Sequence, residues 1–174
     1  MRIGGHGLRQ HVGFLAPLFG LIAAVWLLRL VVYAAGAPAG ALSVISVTLA
    51  TAVAVLLAAL LMHLRGFGSY TSVVASAFLL VTWAQLLIVA AIVFAALTGI
   101  HDVYSVPPYS GGETYGRHIL GHLSFGIGTG TLFGSAMGCL LLWILRRLVP
   151  AVPTAPPLQH SAGSRVAGGG SGRR

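Results

Sequence analysis

Lysine and asparagine are missing altogether from this chain, and there are only two acidic residues and one cysteine. Without lysine there is no phosphate-loop lysine, no Schiff base and no Ser-x-x-Lys nucleophile. Without asparagine there is no N-glycosylation acceptor. Cys139 stands alone inside an apolar run, which excludes an internal disulfide and a Cys-x-x-Cys redox pair. It reads as a small buried apolar residue. The two acids, Asp102 and Glu113, lie in one connection, so no apolar run carries the acid that usually marks a transport path. No catalytic signature remains, and the sequence leans away from an enzyme.

Charge is scarce in general. Charged residues make up 7% of the 174 positions, against about a quarter in an average soluble domain. Mean hydropathy is +0.94. The net charge of +8 comes entirely from arginine, ten residues in all. These sit at the ends of apolar runs and in one tail, which argues against a nucleic-acid-binding face. Arginine to the exclusion of lysine fits a GC-rich, bacterial genome.

What the chain does have is long apolar runs. A bilayer core takes about 20 apolar residues as a helix, and four segments qualify, at about 14–34, 42–64, 72–98 and 123–149. In hydrocarbon each segment must satisfy its own backbone, so the expected fold is an all-α, polytopic bundle of four transmembrane helices. Gly36-Ala37-Pro38-Ala39-Gly40 and Arg65-Gly66-Phe67-Gly68 read as tight turns. Residues 1–13 form an N-terminal segment and 99–122 a longer connection, with helix restarting near Tyr115. Residues 150–174, rich in Pro, Gly, Ser and Ala, read as a disordered tail. A cleaved leader over the first run competes, but Arg29 interrupts a run already longer than a signal core.

Arginine placement gives the orientation. With the N-terminus inside, Arg2, Arg9, Arg65, Arg146, Arg147, Arg165, Arg173 and Arg174 lie on the inner side. Only Arg117 lies outside, with Arg29 embedded. That is the positive-inside pattern of a protein with both termini in the cytoplasm, here of a bacterial inner membrane.

Gly126, Gly130, Gly134 and Gly138 recur four apart in the last run. Glycine lowers helix stability by about 1 kcal/mol relative to alanine, so this GxxxG row needs close approach of another helix to justify it. Each step of four drifts about 40° around the helix, making an inclined groove. A small ridge at Ser46, Ala50, Ala54 and Ala58 is its expected partner within the chain. A second copy or a larger membrane complex is the partner expected of an assembly or accessory subunit, which is the reading the sequence favours.

Polar residues inside the runs supply alternatives. Arg29 is placed to snorkel outward or to pair with Asp102 or Glu113. Gln85, at the middle of the third run, is expected to bond Thr51 or Ser135 across helices. His118 and His122 share a helix face, and with His101, Asp102 and Glu113 they form a candidate outer metal site. His-x-x-x-His alone is a weak signal, and Ile119 stands where a zinc protease has glutamate. Haem is a further option, pairing His11 with His63 and His101 with His122. No cofactor is favoured from sequence. A small oligomeric transporter or channel built around Gln85 and Arg29 is the third class. Tyr33, Tyr70 and Trp143 read as interfacial anchors. Tyr104, Tyr109 and Tyr115 suggest that the long connection folds down instead of floating free.

Overall fold

The structure is a computed structural model, and it describes residues 2–3, 6–67, 69–106 and 114–149. The tail expected to be disordered therefore lies outside the described residues, as do Tyr109 and Glu113. Apart from a two-residue antiparallel pairing of Arg2–Ile3 with His6–Gly7, the described chain is helical. Its helices are α1 (Leu8–Ala34), α2 (Ala39–Val44), α3 (Val47–Leu64), α4 (Tyr70–Thr98), α5 (Tyr115–Gly121) and α6 (Ile127–Leu148). A π turn, His122–Gly126, joins α5 to α6 without a break. Four stretches are long and apolar enough to cross a membrane: Leu8–Ala34, Gly40–Leu64, Tyr70–Thr98 and Tyr115–Leu148. These are the features of a multi-pass membrane protein.

Two elements depart from the boundaries expected of them. The second span is not one helix from 42 to 64: it breaks between α2 and α3. Ser46 causes the restart, since it leaves helical geometry and its hydroxyl accepts from the Leu49 N–H at 3.3 Å, capping α3. The fourth span begins at Tyr115, eight residues before the apolar run at Leu123. Thr114 is extended and helix follows at once, at the restart expected near Tyr115, and it then runs without a break into the apolar span. At the other end of the long connection, Gly99 closes α4 with a φ of 72°, a conformation that favours glycine.

α3 and α4 form the central pair. α1 packs against both, and the fourth span also packs against both. The core between them draws Leu15 and Ile22 from α1, Ala54 and Ala58 from α3, and Leu80 and Ile92 from α4. Val103 and Tyr104 of the long connection insert into the same core. Large side chains facing outward are apolar as well, among them Leu27, Leu49, Phe94 and Leu132. In water such a surface would aggregate; against lipid tails it carries no penalty.

The glycine row is used inside the chain. A Cβ placed on Gly130 would come 2.8 Å from Val81 Cγ1, and one on Gly138 would come 2.8 Å from Val73 Cγ1 and 3.2 Å from Val55 Cγ1. Gly134 is looser, with Ala77 Cβ and Val55 Cγ2 both at 3.6 Å. The ridge of small residues on the second span is not what meets the glycines. Valines of α4 and α3 fill the space that the missing side chains leave, where small against small would leave voids. Ala54 and Ala58 are buried in the main core instead, and Ser46 serves as a cap.

Candidate functional site

The rung nearest the N-terminus of the fourth span differs from the rest of the glycine row. Opposite Gly126 stands Gln85, whose Cδ would lie 2.9 Å from a Cβ at that position. Room for the amide exists because residue 126 has no side chain. Gln85 then reaches His122, with Oε1 to Nδ1 at 2.6 Å, and His122 Nε2 meets His118 Nε2 at 3.1 Å. The two imidazole rings lie 4.8 Å apart, centroid to centroid.

Why this chain of contacts forms follows from helix geometry. His118, His122, Gly126 and Gly130 are each four apart, and such a row drifts steadily around a regular α-helix. Between His122 and Gly126 the helix widens: the Ile127 N–H reaches back five residues to His122 O. A wider turn rotates less per residue, which keeps the histidines on the side that faces α4. Single π turns of this kind are frequent at functional sites.

An amide oxygen only accepts, so His122 donates from Nδ1 and keeps a lone pair on Nε2. His118 must then donate from Nε2. Its Nδ1 is buried and has no partner among the described residues. The two Nε2 atoms face each other across 3.1 Å, and the tautomer of His122 is fixed by Gln85.

The remaining candidates are placed elsewhere. Gln85 does not bond Thr51 or Ser135. The Thr51 hydroxyl donates to Val47 O at 2.7 Å in its own helix, and Ser135 Oγ is buried without a partner among the described residues. Counting depth from Leu123 missed the true partner, because the helix starts earlier and brings His122 against the middle of α4. Asp102 is engaged in a turn: its Oδ1 accepts from the N–H of Tyr104 at 2.8 Å and of Ser105 at 3.1 Å. His101 is exposed and lines, with Asp102, a cavity of about 480 Å³ between the C-terminal ends of α1 and α4. Among the described residues no group of three or more His, Cys, Asp or Glu could hold a metal, so His118 and His122 stand as a pair. Arg29 lies over the ring of Tyr104, 5.2 Å from its centroid.

Both ring nitrogens of His122 are engaged, neither with His101. His11 packs its ring edge-on to Phe67 at 5.3 Å. Two histidines one turn apart on a helix cannot flank a porphyrin from opposite faces, as bis-histidine haem requires.

The helix-start histidines were visible in sequence as a pair. The link to Gln85 was not, since only the α4 register places residue 85 beside 126. Comparison of the chain with protein families, with curated proteins and with solved structures gives no match.

Proposed function

We propose that this is a metal-binding membrane protein of the bacterial inner membrane, with both termini cytoplasmic, whose centre is the His118–His122 chelate supported by Gln85. The orientation rests on the arginine asymmetry. The observation that carries the metal reading is the approach of two Nε2 atoms to 3.1 Å, with the other nitrogen of His122 on an amide oxygen; an ion would take the place of the proton between them, His118 then carrying its proton on Nδ1. Two metal–nitrogen bonds of about 2.0–2.1 Å meeting near 100° place their nitrogens about 3.1 Å apart. A ligating histidine also characteristically donates its second N–H to an oxygen that fixes its tautomer, which is the role Gln85 fills. Imidazole suits zinc, copper, nickel or iron, and two protein ligands leave positions for water or a substrate.

The four glycines of the row face helices of the same chain, so an assembly role would draw on another surface, such as the side of the fourth span at Gly128, where a Cβ would meet nothing within 4 Å.

The test is purification under native conditions followed by metal analysis and Zn²⁺ titration. One bound ion per chain, lost in His118→Ala and His122→Ala while both variants stay folded, is the expected result. A metal-free protein that also fails to take up Zn²⁺, Cu²⁺ or Ni²⁺ on titration would sink it.

A further inference from the structure

A second cavity, of about 330 Å³, lies between the second, third and fourth spans and has Gln85 in its wall. Most of its lining is apolar, including Val55, Ile88 and Met137. Two of its hydroxyls are already donating along their own helices, Thr51 to Val47 O at 2.7 Å and Thr129 to Phe125 O at 2.6 Å. Thr48 is exposed. Gln85 is different. Its Oε1 is held by His122, which fixes the amide orientation, and its Nε2 makes no hydrogen bond among the described residues. An amide N–H₂ in hydrocarbon without an acceptor is unfavourable. What would complete it is a carbonyl oxygen brought in by a ligand. Phe125 and Phe133, which line the cavity, are 73% and 68% exposed, so the cavity is reached from the lipid side.

From this we infer that the cavity binds a neutral, lipid-soluble molecule carrying a carbonyl group, with the oxygen on Gln85 Nε2 and the apolar body among Val55, Ile88 and Met137. An acyl chain would fill the same volume but offers the amide nothing. The inference does not rest on the metal reading, since Gln85 is oriented by His122 whether or not an ion is bound.

Benzophenone serves as the probe, being an apolar ketone that labels its neighbours on irradiation. The full chain in nanodiscs is irradiated with it and the adducts are mapped. Labelling is expected to concentrate at Val81 and Ile88, the lining residues one turn either side of Gln85, and to fall about tenfold or more in Gln85→Leu, which keeps the shape and removes the donor. Ala52→Trp, which fills the cavity, should abolish it. A measurement on the wild-type chain guards against misfolded variants. Dicyclohexyl ketone should compete about tenfold better than dicyclohexylmethane, which has the same form without the oxygen. Labelling spread evenly over lipid-facing residues such as Leu49 and Phe78 overturns the inference. So does equal competition by the two compounds, which would mark a pocket for acyl chains.

Discussion

Along the contact between α4 and the fourth span, four rungs follow one spacing, yet the three nearer the C-terminus of that span, the inner rungs of the row, differ in kind from the one at its N-terminal end, the outer rung. Val73 meets Gly138, Ala77 meets Gly134 and Val81 meets Gly130, all apolar. At the outer end Gln85 meets Gly126, and the helix there widens into a π turn. The glycine is the same on every rung, so the difference lies on the α4 side. Opposite valine, a glycine lets two backbones close on a stiff side chain. Opposite glutamine, it opens room for an amide to cross to the next element and hold a histidine. One spacing thus provides both packing and a polar centre.

The comparison is broken most severely at the inner rungs. Gly130→Leu and Gly138→Leu put a full side chain where even a Cβ would stand 2.8 Å from valine, and valine has few rotamers to retreat to. We expect these variants to lose the folded monomer. The alanine variants at the same two positions should be destabilised by about 1–3 kcal/mol. Gly134→Ala is the control: its Cβ meets ordinary contacts at 3.6 Å, and stability should be nearly unchanged. Steric-trap or thermal unfolding in detergent micelles measures the series. Equal effects at all three positions would mean that the rungs do not carry the packing.

The outer rung should respond in the opposite manner. A Cβ on Gly126 meets the end of a flexible side chain, 2.9 Å from Gln85 Cδ and Oε1, which can swing away. Gly126→Ala should therefore leave unfolding nearly as in the parent chain. It should weaken Zn²⁺ binding about 10–100-fold, the usual effect of losing a supporting hydrogen bond. Gln85→Leu should match it by the same route. Zn²⁺ titration followed by isothermal calorimetry reads both variants. A large loss of stability with intact metal affinity would reverse the assignment of the two ends.

Much of this arrangement was legible before any coordinates. Long uncharged runs, glycine turns and the period-four glycines lie on the surface of the text, because each depends on residues near one another in the chain. The break at Ser46 was harder, since Ser46 sits in an apolar run and its capping hydrogen bond is a local choice between two geometries. The restart near Tyr115 was legible, whereas its continuity with the apolar run was not, because Arg117 and His118 occupy its first turns. The Gln85–His122 bond was beyond reach for a different reason. It depends on the relative slide of two helices 37 residues apart in sequence, and a shift of one turn would have matched Gln85 to another partner. Asp102 and the histidines looked alike as ligands on composition, yet backbone N–H groups claim the carboxylate.

A polar centre built without any glycine sharpens the comparison, though its effect is the smallest. Tyr104 lies in the long connection, outside the spans, with its side chain in the core and the Arg29 guanidinium over its ring. Burial pushes its phenol up to about 12 in spite of that cation, which pulls the other way. The unfolded chain ionises this group near pH 10. Between the two values the unfolded state has lost a proton that the folded state keeps. Whatever Tyr104 contributes to stability is thus complete below pH 10 and declines as pH rises towards 12. Followed by the ultraviolet band of phenolate, the folded protein should show a late tyrosine step that is absent in Tyr104→Phe. Arg29→Met should move that step to still higher pH, because the cation that favours phenolate is gone. A step that moved downward instead would show that the guanidinium does not face the phenol at all.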